Sequence, residues 1–268
     1  MNFFFKSIGY SKQSLHQYLN RGLAEMEEFE YLKIIIQQIR DRHPTMGMRY
    51  LFELIKPEFM GRDKFMAYCT ENGLHNRKRF KPLTTTDSKG VIRFQNLLTG
   101  LFINRINQVW SSDITYYQIG DNVFYITFII DNFSRLIVGW YVSKSLRTEE
   151  TTIPALRMGV RKRKGISLVG LILHSDGGGQ YYAKLFIEYT KQLGILNSMC
   201  EYAYENGKAE RINGIIKNNY LKHWPCSNVN DLIKNVDRAC TNYNEEKPHK
   251  ELKMISPVKF EKKLITLQ

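Results

Sequence analysis

The chain has 268 residues, 43% hydrophobic and 13% aromatic, enough for one large core or two modest ones and too apolar for general disorder. Its formal net charge of +13 favours a polyanionic partner and is spread over both halves: residues 1–105 carry 17 Lys+Arg against 10 Asp+Glu (net +7), the remainder 22 against 16 (net +6). Four scattered cysteines without paired spacing speak against a zinc site or a disulfide framework, and no apolar run approaches the ~20 residues of a membrane span. The opening Met-Asn-Phe-Phe-Phe-Lys is too short and too soon polar for a signal peptide, so an intracellular, cytoplasmic protein with no membrane attachment is expected.

In chain order, residues 1–25 read as a helical N-terminal arm, with Ser11 as N-cap. Residues 26–76 read as a helix-turn-helix-like helical domain. In it, a helix from Met26 to Arg42 is acidic at its start and basic at its end, as the helix dipole prefers. His43-Pro44 stops it. Two shorter helices follow, at about Gly47–Lys56 and Gly61–Asn72. Such a triplet suits either DNA contact or assembly. Residues 77–105 form a basic linker, in which Arg77, Lys78 and Arg79 are candidate phosphate contacts; a solvated hinge fits the same composition.

From Val109 the pattern turns to strands: Val109–Tyr117, Val123–Asp131 and Leu136–Val142, separated by turns too short for anything but an antiparallel meander. A helix over Thr148–Lys164, a strand over Leu168–Leu173, a helix over Tyr181–Leu193, a strand over Ile195–Met199 and a helix around Glu210 follow. The order β-β-β-α-β-α-β-α predicts an α/β fold, a mixed five-stranded sheet with helices on its faces, spanning residues 106–225. A helical C-terminal extension, residues 226–268, completes the chain.

Three carboxylates stand out. Asp113 lies within the first strand, where an aspartate is costly unless it is hydrogen-bonded or metal-bound. Asp176 stands at the exit of Leu171-Ile172-Leu173-His174-Ser175, before Gly177-Gly178-Gly179. Glu210 lies on a helix that starts near Asn206, a candidate N-cap, and buries Ala209, Ile212, Ile216 and Tyr220. Lys217, seven residues after Glu210, is only ~20° away around that helix. If the fourth strand pairs with the first, the two aspartates meet, and Glu210 closes the group from the side. Three carboxylates suit hard Mg²⁺ or Mn²⁺, and two ions fit phosphodiester chemistry. Singly, each is more simply a turn or surface residue; together, in this order of elements, they point to a site. His174 reads as a ligand or, more simply, as a polar residue satisfied at the strand end. The glycine run lacks the Gly-Lys-Ser/Thr ending of a nucleotide loop.

At these residues the chain resembles bacterial insertion-sequence transposases with a retroviral-integrase-like, ribonuclease H-like core. More narrowly, it is similar to the second-reading-frame product of the family assembled by frameshifting. The matching runs are Trp110-Ser-Ser-Asp113-Ile-Thr-Tyr116, Asp131-Asn-Phe-Ser-Arg135 with Val138-Gly139-Trp140, His174-Ser-Asp176-Gly with Gln180-Tyr181, Glu205-Asn206 through Ala209-Glu210-Arg211 and Lys217, and Tyr243-Asn244 with Pro248-His249. His43-Pro44, Gly47, Arg49 and Gly61-Arg62-Asp63 extend the match into the helical region.

The resemblance implies that Asp113, Asp176 and Glu210 are the catalytic, metal-binding triad and that Lys217 contacts the element's end. Arg211 and Asn206 are further expected DNA contacts. It implies cleavage and strand transfer on element ends and target DNA, with homo-oligomers in a synaptic complex. An upstream-frame helix-turn-helix product is an expected partner, and the setting is a bacterial nucleoid. Two departures stand: Asp176 to Glu210 is 34 positions (210 − 176), slightly short for the family, and Gly179 replaces a common serine. A non-catalytic DNA-binding regulator from a decayed element, or a metal nuclease of the same fold, are the rival readings.

Overall fold

The computed structural model describes residues 11–75, 94–200 and 206–266, which fall into two compact units divided between Asn76 and Arg77. The expected contacts Arg77, Lys78 and Arg79, most of the linker, and residues 201–205 before Asn206 lie outside the described residues.

In the first unit, α1 (Lys12–Arg42) is capped by Ser11, whose hydroxyl accepts the Ser14 N–H at 3.0 Å, and its last turn carries Arg40 and Arg42. The expected division between an arm and a separate helix at residue 26 is corrected: nothing in the sequence around Glu25 breaks a helix, and one helix runs through. Leu32, Ile36 and Ile39 recur at helical spacing and are buried against Leu51 of α2 (Met48–Ile55) and Phe65 and Cys69 of α3 (Arg62–Glu71). Lys56 (φ 46°) and Gly73 (φ 65°) turn the chain out of α2 and α3 in left-handed conformations. Arg40 Nη2 donates to the Leu74 carbonyl at 2.7 Å and ties the end of this segment to α1.

The second unit is built on a five-stranded sheet of order β3-β2-β1-β4-β5. Its strands are β1 (Val109–Ile119), β2 (Asn122–Asp131), β3 (Ile137–Ser143), β4 (Ile172–Ser175) and β5 (Leu196–Met199). The first three form the expected antiparallel meander; β4 joins β1 in parallel and β5 joins β4 in parallel. This is the mixed five-stranded sheet that the order of elements implied.

Both faces are covered. Against one, Phe124, Ile126, Phe128 and Ile130 pack on Ile212 and Ile216 of α7 (Gly207–Asn219) and on Leu232, Val236 and Tyr243 of α8 (Val229–Glu245). Against the other, Trp110, Ile129 and Val138 pack on Ile153 and Leu156 of α4 (Thr152–Lys162), on Tyr181 of α5 (Gly179–Tyr182) and on Phe186 of α6 (Lys184–Gln192). The approach of α4 is close enough to require glycine. A Cβ at Gly139 would collide with the Ala155 carbonyl, and one at Gly159 would stand 3.0 Å from the Trp110 ring.

Two expectations change here. The boundary between 225 and 226 is not a break in packing, because α8 shares one hydrophobic core with the sheet. The strand expected over Leu168–Leu173 begins only at Ile172; Leu168 and Leu171 are buried from a turn around Gly170 (φ 79°). The tail carries a further helix, α9 (Pro257–Thr266), whose Glu261 makes a bidentate ion pair with Arg163 at 2.6 and 2.7 Å. Among the described residues, no helix is long and apolar enough to cross a membrane.

Candidate active site

The parallel pairing of β1 with β4 places the two aspartates side by side. Val109 faces Ile172 and Ser111 faces His174, an offset of 63 (172 − 109), and the same offset carries Asp113 to Asp176 (176 − 113). Because β4 ends at Ser175, Asp176 sits at its mouth rather than within the ladder.

Asp113 Oδ1 accepts the Ile114 N–H at 2.9 Å, and Oδ2 accepts Asn213 Nδ2 at 2.7 Å. Burial pushes its carboxyl up to about 7; the charges of Asp176 and Glu210 add to the rise, and the Ile114 and Asn213 bonds only partly oppose it. Asp176 is likewise raised by burial, offset by the Gly178 N–H, which reaches its Oδ1 at 3.1 Å. The approach is tight: a Cβ at 178 would come to 3.0 Å from that oxygen and from Gln180 Oε1. Behind the pair, the Tyr181 hydroxyl shares a 2.8 Å hydrogen bond with Ser112 Oγ; its phenol is held protonated by burial and by the nearby Asp176 and Asp113.

Glu210 stands in the exposed first turn of α7 and lies close enough to raise the Asp113 carboxyl. Among the described residues, no three His, Cys, Asp or Glu side chains are gathered into a ready metal cage. The donor set nevertheless has the chemistry of one: hard oxygens whose mutual repulsion a divalent cation would relieve.

Lys217 does lie on the Glu210 flank. Its Nζ donates to Thr115 Oγ1 at 3.2 Å and stands 4.5 Å from the Tyr116 ring centroid, and burial, then Lys222, lowers its pKa. Arg211 is exposed. Asn206 corrects the capping expectation: it stands at the N-cap position, but its side chain makes no capping bond. At 2% exposure it is buried, donating Nδ2 to the Ser112 carbonyl at 3.0 Å. It tethers the start of α7 to β1 beside Asp113. His174 is fully buried with Nδ1 3.0 Å from Ser198 Oγ, inside the sheet. Sequence reasoning missed Asn213 and Tyr181 as site residues. The available signal for Asn213 was its spacing, three residues after Glu210 and on the edge of the buried stripe.

Known proteins resemble this chain over much of its length. The integrase core domain family matches residues 104–204, and a second integrase core domain family matches residues 196–257. The transposase for insertion sequence element IS629 of Shigella sonnei is 30% identical over 221 residues, covering 79% of this chain and 72% of the relative. The insertion element IS600 uncharacterized 31 kDa protein of the same organism is 30% identical over 261 residues, covering 95% and 94%. Among solved structures, the HTLV-2 integrase catalytic core domain in complex with magnesium aligns with TM-score 0.46 at 23% identity, over 57% of this chain and 95% of that one. With an integrase core across the sheet and a transposase similar over most of both lengths, the chain belongs to the insertion-sequence transposases.

Proposed function

We propose that the chain is a metal-dependent polynucleotidyl transferase that cleaves the 3′ ends of its element and joins them to target DNA. The observation that carries this is the β1–β4 register, which sets Asp113 beside Asp176 within electrostatic reach of Glu210. Asp113, Asp176 and Glu210 are the residues that would hold Mg²⁺ or Mn²⁺, with two ions fitting the reaction. Bound there, the metal would supply Lewis-acid activation of the nucleophile and stabilisation of the leaving oxygen. In the first step water adds to phosphorus and the bond to the 3′ oxygen breaks, freeing a 3′-hydroxyl. In the second that hydroxyl attacks a target phosphodiester, and the bond from that phosphorus to the target strand's 3′ oxygen breaks, leaving a 3′-hydroxyl on the target. One phosphodiester is exchanged for another in the second step, so neither ATP nor a protein nucleophile is needed.

The chain's own residues prepare this chemistry. Asn213 and the Ile114 N–H fix the orientation of Asp113, Gly178 lets the loop fold onto Asp176, and Asn206 anchors the Glu210 helix to β1. Lys217, steadied by Thr115 and Tyr116, keeps further ammonium hydrogens for a phosphate of the element's end. Arg211 is an exposed second contact, and Arg77, Lys78 and Arg79 are proposed as further ones. Element ends and target DNA are the substrates, a synaptic homo-oligomer is the working form, and the upstream-frame product is a candidate partner. The domain limits proposed for function are a helical DNA-binding or assembly region before residue 77 and the integrase core with its C-terminal helices after residue 105.

A joining assay with labelled element ends and Mg²⁺, run with and without the upstream product, tests the reading. Joined product that disappears in Asp113→Asn is expected. Cutting without joining under every condition points to a nuclease, and binding without either to a regulator.

A further inference from the structure

The flank of α7 turned away from the carboxylates carries a second cluster, which shares Arg211 with the contacts proposed above and adds Arg135 and Lys208 to it. At ~100° per residue, Lys208 lies ~160° from Glu210 around the helix, and Arg211 ~60° from Lys208. Lys208 Nζ reaches the Asn132 carbonyl at 3.4 Å, in the turn that also holds Arg135. Arg135 takes a left-handed backbone (φ 64°), pairs with Glu251 at 2.5 Å and lies close enough to Lys208 for its charge to be felt there. From the other side, His249 stacks edge-on against Tyr243 with centroids 4.7 Å apart, close to Arg135 and Arg211. The imidazole is held uncharged, its pKa lowered to about 3 by burial and then by the positive charge of Lys247, Arg135 and Arg211. Asp131, the deeper carboxylate, is occupied by three backbone N–H groups; with Glu251 it offsets part of the positive charge around Lys208. The turn, the helix and the segment after α8 thus converge on one concentration of positive charge.

We propose that Arg135, Lys208 and Arg211 form a phosphate-binding site that grips the DNA backbone on the far flank of α7, so that a strand cut beside Glu210 crosses the crest of this helix. This rests on the polynucleotidyl-transfer reading. A helix with its side chains is ~10–12 Å across and a DNA strand carries a phosphate every ~3.4 Å of its axis, so the cluster meets phosphates roughly three steps from the scissile one. Guanidinium groups with their planar forks, beside one ammonium, suit phosphate oxygens.

The test is DNA binding by the full chain, followed by fluorescence anisotropy over a salt series in EDTA, so that no chemistry is required. Arg135→Ala, Lys208→Ala and Arg211→Ala should each flatten the plot of log affinity against log salt by about one contact's worth, ~0.9. Arg211→Lys and Lys208→Arg should keep the wild-type slope. Lys184→Ala, on the exposed surface of α6, should change nothing. Asp113→Asn should also keep the slope, so a failure of the triad assignment leaves this measurement intact. Arg135 holds Glu251, so its alanine variant is read only if its thermal melting matches wild type. If it does not, Lys208→Ala decides, because Arg211 is already a proposed contact and Lys208 belongs to this site alone. Wild-type slope and affinity in Arg211→Ala and Lys208→Ala overturn the site.

Discussion

Two aspartates on the paired strands β1 and β2 have opposite surroundings. Asp131 faces Trp110 in the ladder and is fully buried; Asp113 faces Phe128, three residues along β1. Asp131 accepts N–H bonds from Asn107, Phe133 and Ser134 and lies 3.8 Å from Arg163, which Glu261 holds in place. Burial raises its carboxyl, but three N–H groups and a guanidinium oppose the rise. Asp113 has one N–H and one amide, and its charged neighbours are carboxylates. A carboxylate surrounded by donors organises a fold. One surrounded by other carboxylates organises the fold at a cost, and that cost makes it receptive to a cation.

The largest expected effect breaks this contrast at the site. Asp113→Asn, Asp176→Asn and Glu210→Gln should each reduce cleavage and joining by ~10³-fold or more while the chain stays folded and still binds DNA. Asp131→Asn should do the reverse: it puts an amide against backbone N–H donors and should lower stability by about 2 kcal/mol, with activity per folded molecule largely kept. Activity normalised to the folded fraction separates the two classes. Wild-type joining by any triad variant at matched folding removes that residue from the site.

The second effect is confined to the other end of the sheet. Glu261→Ala leaves Arg163 buried with both bonds of its bidentate pair gone, and breaking such a pair costs about 3–5 kcal/mol. A melting temperature within a degree or two of wild type would show that Asp131 and the Asn107 side chain satisfy the guanidinium.

The same contrast separates what the sequence discloses from what it hides. The meeting of Asp113 with Asp176 was legible because both occupy improbable places, inside a strand and before a glycine run, and because it follows once the fourth strand pairs with the first. The Asp131 network was not, since Arg163 and Glu261 lie 98 positions apart in runs of charge that look solvated. Asn206 was misread for a related reason. A capping residue and a buried tether are the same amino acid at the same helix end, and only the proximity of the Ser112 carbonyl distinguishes them. Apolar content alone marked Leu168–Leu173 as a strand, but Gly170 turns the chain there and lets two leucines enter the core without a ladder. The 31-residue α1 was divided at a change of charge that carries no helix-breaking chemistry.

Lys217 gives a smaller test at the site. Loss of a hydrogen bond to a charged group is worth about 1.5–3 kcal/mol, so Lys217→Ala should join ends roughly tenfold or more less efficiently at limiting DNA. Mn²⁺ binding should be unchanged, because the carboxylates remain. Lys217→Arg should recover part of the loss if charge is the main need, and less if the narrow space between Thr115 and Tyr116 admits only an ammonium. Joining at the wild-type level by the alanine variant would assign Lys217 to steadying β1.

The smallest effect comes from the Asp113 carboxyl itself in metal-free buffer. Its folded pKa of about 7 lies above the ordinary 3.8, so the folded chain binds this proton more tightly than the unfolded chain. Stability contributed by the protonated form is therefore present at low pH and is lost as pH rises through the interval between the two values. In EDTA, wild type should lose stability relative to Asp113→Asn by about 1 kcal/mol between pH 6 and pH 8, since one unit of separation is worth ~1.4 kcal/mol and most of this interval lies near the folded pKa. Taking the difference from the asparagine variant cancels the other carboxylates, including Asp176 and Asp131, which titrate in both chains. Saturating Mg²⁺ should abolish the trend, because a bound cation holds the carboxylate ionised at both pH values. A difference in melting that is flat from pH 6 to pH 8 without metal would mean that Asn213 and the Ile114 N–H compensate Asp113 fully, leaving it as settled as Asp131.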